Sequence, residues 1–133
     1  MLSKTRSCGP LIFALCWLAV AMPSAAAEFA EQVDPVEVSP TQFKIDFEND
    51  HVRIVSYHLR PGERDNWHTH PAKVSVITGG GLLRITTGDG ESFEVTEETG
   101  TASWMPALGR HFAENVGDTT VKIVLVEIKS ATD

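Results

Sequence analysis

Cysteine is nearly missing from this chain: of 133 residues only Cys8 and Cys16 carry a thiol, and both lie close to the start. Whatever domain follows holds neither a disulfide nor a thiolate, which excludes a stapled scaffold and all cysteine chemistry from it. Basic residues are also scarce, with 11 Lys and Arg against 18 Asp and Glu and a formal net charge of −7. Such an acidic domain has no electrostatic footprint for phosphate backbones or anionic lipid, so nucleic acid is not an expected partner. Long apolar runs are absent except one, Leu11 to Met22, whose 12 residues fall short of the roughly 20 that span a bilayer. There is no internal repeat and no low-complexity tract. A composition of 42% hydrophobic and 22% charged residues is that of one ordinary globular domain.

The single apolar run has the surroundings of an export signal. Lys4 and Arg6 precede it, and Ala25-Ala26-Ala27 supplies small residues before Glu28, so residues 1–27 read as a signal peptide and the protein is expected in the periplasm or outside the cell. Phe13-Ala14-Leu15 before Cys16 is a poor lipoprotein setting, and no membrane association is expected after cleavage. The remaining residues, 28–133, carry 9 basic and 18 acidic side chains. A chain of about 100 residues buries roughly 65% of its unfolded surface without staples. Residues 28–40, with Pro35, Pro40 and no sustained period, form an N-terminal arm, and residues 41–133 form the domain.

From Thr41 onward, short runs of β-formers alternate with turn clusters and leave no window for a helix of three turns. The expected fold is all-β, an antiparallel sandwich or barrel. Its strands fall at 43–47, 51–59, 67–70, 73–78, 82–87, 92–96, 101–105, 111–115 and 119–128. Gly79-Gly80-Gly81 can take positive φ, and Asp89-Gly90 is a strong tight-turn pair, so residues 73–96 are expected to form a meander. Phe93 and Val95 alternate with Ser92, Glu94 and Thr96, which predicts one buried and one wet face there.

The sharpest chemical feature is His68-Thr69-His70. On a strand, residues two apart share a face, and two imidazoles there can reach one ion at about 2.0–2.1 Å each. Paired surface histidines beside a turn are the competing reading. A third histidine, His111, follows Pro106-Ala107-Leu108-Gly109-Arg110, and the two segments together resemble the two signature motifs of the cupin superfamily. The first reads Gly62, five residues, His68-x-His70, then the glycines at 79–81; the second reads Gly100, five residues, Pro106, His111, three residues, Asn115. The resemblance covers residues 50–128 and implies a cupin-like antiparallel β-barrel or jelly roll with His68, His70 and His111 as ligands of one divalent metal. Two positions depart from the pattern. Gly109 stands three residues after Pro106 where the family usually has glycine at two, and the glutamate expected four or five positions after His70 is replaced by Val74 or Ser75. No carboxylate occurs between His70 and Asp89, so the family's fourth ligand does not carry over.

Other residues near the motifs have ordinary readings. His51 and His58 are expected to be solvated, or in the case of His58 to support the site from outside it. Lys73 is expected to guard a strand edge against aggregation, while Glu63, Asp65 and Glu114 read as loop and outer-face charges. Tyr57, Trp67, Trp104 and Phe112 fit either an apolar pocket or plain core. Two functions of different class follow. One is a dioxygenase-type oxidoreductase acting on a small organic molecule, with Fe(II) favoured and Mn, Ni or Zn as alternatives; three-histidine iron sites occur in thiol and diketone dioxygenases of the family. The other is a module that captures a small molecule or metal without turnover, an arrangement suited to an oxidising exterior. A homodimer is expected in either case.

Overall fold

Runs rich in Val, Ile, Phe and Thr form nine strands in the computed structural model, which describes residues 32–130. They are β1 (Phe43–Glu48), β2 (Val52–Leu59), β3 (His68–His70), β4 (Lys73–Gly79), β5 (Gly81–Thr87), β6 (Ser92–Glu97), β7 (Ala102–Met105), β8 (Leu108–Asn115) and β9 (Val121–Ile128). The one helix among the described residues is a single turn, α1 (Pro35–Val38), capped by the Asp34 carboxylate, which accepts from the Val36 N–H at 2.9 Å. The segment read as a signal peptide, residues 1–27, lies outside the described residues. None of the described helices is long and apolar enough to cross a membrane.

The strands pair antiparallel in two sheets, β1-β2-β9-β4-β7 and β3-β8-β5-β6. Beyond the β1–β2 hairpin the chain repeatedly crosses from one sheet to the other, and β5–β6 is the one later pair of successive strands that stays within a sheet. That winding closes a jelly roll, and the expected all-β fold is the observed one. The expected meander is not. Gly79-Gly80-Gly81 joins strands of different sheets, and none of the three has positive φ. They are glycine for space. A Cβ on Gly80 would stand 2.4 Å from the Glu97 carbonyl oxygen, and one on Gly81 would stand 2.7 Å from Val121 Cγ2. Asp89-Gly90 does turn the β5–β6 hairpin, with Gly90 at φ +87°.

Period-two burial then fills the interior. Val55, Tyr57 and Leu59 from β2, Ile77 from β4 and Val121, Ile123 and Leu125 from β9 meet Leu83 and Ala113 of the other sheet, with Phe43 closing one side. Burying an aliphatic side chain of this kind contributes about 1.5–3 kcal/mol. The expectation of a buried face on β6 fails: Phe93 is 51% exposed, because β6 is the outermost strand of its sheet.

Two polar devices fix the ends of the core. Asn115 is buried, donates from Nδ2 to the Leu59 and Thr119 carbonyls at 2.8 Å each, and accepts from the Gly117 N–H at 3.0 Å, which locks the turn between β8 and β9. The arm is held at the opposite end of the chain. Thr69 N–H donates to the Val33 carbonyl at 2.9 Å and Val33 N–H returns a bond to Thr69 Oγ1 at 3.0 Å. Residues 33 and 34 therefore lie against the barrel of their own chain.

Candidate metal centre

Antiparallel pairing of β3 with β8 sets His68 opposite His111, while a register shift brings His70 opposite Leu108. Strands in register lie about 4.8 Å apart, and residues two apart on one strand share a face. His68, His70 and His111 consequently converge, all buried, and each offers a ring nitrogen within 4.8 Å of the others. The sequence-predicted trio is brought together. β8 starts at Leu108, three residues before the expected position. The displaced glycine has a consequence here, because the Gly109 carbonyl faces His111.

The orientation of each ring is fixed from behind. His68 Nδ1 donates to the Asn66 carbonyl at 2.7 Å, His111 Nδ1 to the Gly109 carbonyl at 2.7 Å, and His70 Nδ1 to Glu127 Oε1 at 2.9 Å. Those three acceptors have no proton to give, so each Nδ1 carries the hydrogen and each Nε2 presents a lone pair. His68 Nε2 and His70 Nε2 stand 3.1 Å apart. Two lone pairs at that distance repel unless a proton or a cation lies between them. With metal–nitrogen bonds of about 2.0–2.1 Å, a tetrahedral angle needs about 3.3–3.4 Å between nitrogens and a right angle about 2.9 Å. The observed spacing falls between, so this donor set fits a divalent ion.

Electrostatics favour the same state. Burial pushes all three imidazoles below the ordinary histidine range, His70 well below it and His111 to about 3, so neutral rings are available at physiological pH. Phe43 packs edge-on to His68 at 5.1 Å and closes the site toward the core.

Behind His70 lies a row of charges that straddles three strands. Glu127 on β9 stands in register with Arg53 on β2 and Lys73 on β4. Its Oε1 accepts from His70 Nδ1 at 2.9 Å, and its Oε2 accepts from Arg53 Nε at 2.7 Å. Arg53 then reaches Asp34 of the arm at 2.6 and 3.3 Å. Burial works against the Arg53 charge, but its bonds to Asp34 and Glu127 outweigh that and hold it protonated. A groove of about 680 Å³ runs between arm and barrel, lined by Asp34, Arg53, His70, Arg110 and Glu127 among others.

Two readings from the sequence are corrected here. Lys73 guards no edge: it is 5% exposed on the inward face of β4, and burial pushes its amine down to about 8. Asp65 is not a loop charge. It is 2% exposed, accepts from Tyr57 Oη and from the Ala113 N–H at 2.8 Å each, and lies 3.7 Å from His68 Nδ1. Burial raises its carboxyl above the ordinary range.

The remaining expectations are mostly ordinary. His51, His58 and Trp104 are exposed. Glu63 accepts from the Arg60 N–H and Glu114 faces Arg84 at 3.7 Å. Trp67 and Phe112 pack edge to face at 4.6 Å beneath Arg110 and Arg64, and Tyr57 sits in the core, so none of the four aromatics lines the groove. Glu127 was not foreseen, although a signal for it exists. In Val121-Lys-Ile-Val-Leu-Val-Glu-Ile the positions 121, 123, 125 and 127 share a face. An acid on that otherwise apolar face needs a buried partner.

Comparison with known proteins supports the architecture. No protein-family model matches the chain, and no curated protein does either. Solved structures do. The chain is similar to a cupin domain from Bordetella pertussis Tohama I, with 27% identity and a TM-score of 0.61 over 66% of this chain and 92% of that one. An RmlC-like cupin family protein from Methanocaldococcus jannaschii with a double-stranded β-helix fold matches at 20% identity and a TM-score of 0.53, over 65% of this chain and 77% of that one. A conserved Klebsiella pneumoniae protein with a double-stranded β-helix domain matches at 21% identity and 0.53, over 72% and 82%. The last two share the fold. With the two-sheet winding, the Bordetella likeness and the converging histidines on β3 and β8 taken together, the chain belongs to the cupin superfamily.

Proposed function

We propose that the protein binds one divalent metal through Nε2 of His68, His70 and His111 and presents it to a small organic molecule, as a dioxygenase-type oxidoreductase with Fe(II) as the favoured ion. The observation that carries this reading is the tautomer lock: three Nδ1 atoms are committed to fixed acceptors, Nε2 of His68 and of His70 stand 3.1 Å apart, and all three rings offer a ligand nitrogen within 4.8 Å of one another. A bound dication would act as a Lewis acid and as the meeting point of substrate and dioxygen. Everything else falls to the chain. Glu127 holds the His70 ring and keeps its proton on Nδ1. Phe43 and the core beneath exclude water, and the groove beside His70 admits and orients the molecule.

Among the described residues only His68, His70 and His111 form the cluster, which supports the reading, since three neutral imidazoles leave coordination positions open, as substrate-activating sites require. Export of the mature chain after residues 1–27 is part of the proposal, resting on the three-part pattern around Leu11 to Met22. Elemental analysis of protein purified without added metal, followed by an oxygen-uptake screen, tests it. Stoichiometric redox-active metal with substrate-dependent oxygen uptake is the expected result. Tight ligand binding without uptake assigns the protein to the capture class instead.

A further inference from the structure

We infer that the outer face of the five-stranded sheet docks against the same face of a second copy of this chain, across a two-fold axis that runs along β9. Register builds this face. Phe47 on β1 stands opposite Ile54 on β2, Ile54 opposite Val126 on β9, Val126 opposite Val74 on β4, and Val74 opposite Trp104 on β7. One apolar row therefore crosses all five strands, with half-buried aliphatics at its centre and an aromatic at each end, Phe47 50% and Trp104 59% exposed. Val124, Val76 and Ala102 extend it by a row on one side, and Val52 and Ile128 on the other. An antiparallel sheet with one wet face alternates apolar and polar residues along its strands. β9 breaks that rule, because Ile123-Val124-Leu125-Val126 is apolar on both faces. The outer face of the other sheet is dressed for water by comparison: Arg84 stands between Glu94 and Glu114 and faces both.

Charge, area and symmetry select a second copy as the occupant. The chain carries a net charge of −7, which makes copies repel over most of their surface. This face is spared. Glu48 and Glu127 share the row of Arg53, which faces inward, and Asp46 at the bulge of β1 is engaged by Lys44 at 3.8 Å and by Ser56 Oγ. Five strands about 4.8 Å apart, with outward positions about every 6.8 Å, give an apolar panel of roughly 500 Å² per copy, and two panels reach the roughly 1,000 Å² that a specific interface clears. β9 is the central strand of the five, so a two-fold along it returns the panel onto itself. Val126 then meets the partner's Val126, and each Phe47 lies toward the partner's Trp104. The histidines belong to the other sheet and face the interior, so pairing leaves them open to their ligand.

Sedimentation velocity of the purified protein over a range of concentrations tests this, with circular dichroism to confirm that each variant folds. The wild type should be a dimer, and Phe47→Glu or Trp104→Glu should raise its dissociation constant about 100-fold or more, since each substitution enters the pair twice. Phe93→Glu is the control, because Phe93 is 51% exposed but lies on β6 of the other sheet, and it should leave the dimer unchanged. Trp104→Thr, uncharged and a good strand former, serves if the glutamate variant does not fold. The two-fold arrangement adds a rescue: Phe47→Lys and Trp104→Glu copies, each monomeric alone, should pair when mixed, since one lysine then meets one glutamate and the other end keeps its aromatic pair. A wild type that stays monomeric at about 0.1 mM overturns the inference, whether the face is then bare or covered by another segment of its own chain. A dimer that Phe47→Glu and Trp104→Glu both leave intact overturns it too, as does a mixture that fails to pair.

Discussion

His70 Nδ1 lies 2.9 Å from Glu127 Oε1, a bond between residues 57 positions apart that ties β3 of one sheet to β9 of the other. The same carboxylate grips Arg53, which grips Asp34 of the arm. One chain of contacts therefore runs from the N-terminal arm to the back of a candidate metal ligand.

Glu127→Gln should weaken metal binding about 10- to 100-fold, because an amide no longer favours the proton on His70 Nδ1 as a carboxylate does. Glu127→Ala should also destabilise the metal-free domain by about 3–5 kcal/mol, since it strips Arg53 of a buried partner. Calorimetric titration with metal reads the first effect and urea unfolding the second. Unchanged affinity in the glutamine variant would remove Glu127 from the site.

The metal-free protein should lose stability on acidification through the imidazoles. A histidine unfolds with a pKa near 6.5, and burial lowers the folded value, to about 3 for His111. Between those values the unfolded chain binds more protons, so the contribution present above about pH 6.5 is lost as pH falls toward 3. Asp65, whose carboxyl burial raises, contributes a slope of opposite sign. The difference between wild type and His111→Gln isolates the histidine, and the variant should show a shallower acid limb in urea titrations.

Lys73 should act at the other end of the scale. Burial pushes it down to about 8 in the folded state, from about 10.5 in an unfolded chain, so stability should rise from pH 8 to about 10.5 as the buried amine loses its proton. Lys73→Met should abolish that rise and stabilise the domain at pH 7. A wild-type curve that is flat across this window would contradict the burial of the amine.

Gly80→Ala should destabilise the fold by about 1–3 kcal/mol or more, because the new Cβ would stand 2.4 Å from a backbone oxygen. Gly109→Ala is the contrast. Nothing lies within 4 Å of its Cβ position and its φ is not positive, so it should be neutral or gain about 0.4–1 kcal/mol from a stiffer unfolded chain. Thermal melts of the two variants side by side decide this.

The legible parts of the sequence were those governed by local rules. Alternation and turn chemistry gave the strands, and the spacing of two in His68-x-His70 gave their common face. His111 entered through its motif, and register then put it opposite His68. What was not legible depended on which sheet each strand joined. Gly79-Gly80-Gly81 has the composition of a turn, but it is a crossing point where backbone oxygen leaves no room for a Cβ. Lys73, Asp65 and Glu127 look like surface charges by residue type, and only the closed barrel shows them facing inward. Phe93 errs in the opposite direction: its strand alternates as if half-buried, yet lies at a sheet edge.

The central claim is that His68, His70 and His111 share one ion, and metal-dependent thermal stability tests it most directly. Metal at 100-fold over its dissociation constant should stabilise the wild type by about 2.7 kcal/mol, which for a domain of this size raises the melting temperature by roughly 10 °C. His68→Gln, His70→Gln and His111→Gln should each lose most of that increment, and exposed His51→Gln should keep it. Equal metal-induced shifts in the wild type and all three site variants would contradict the account.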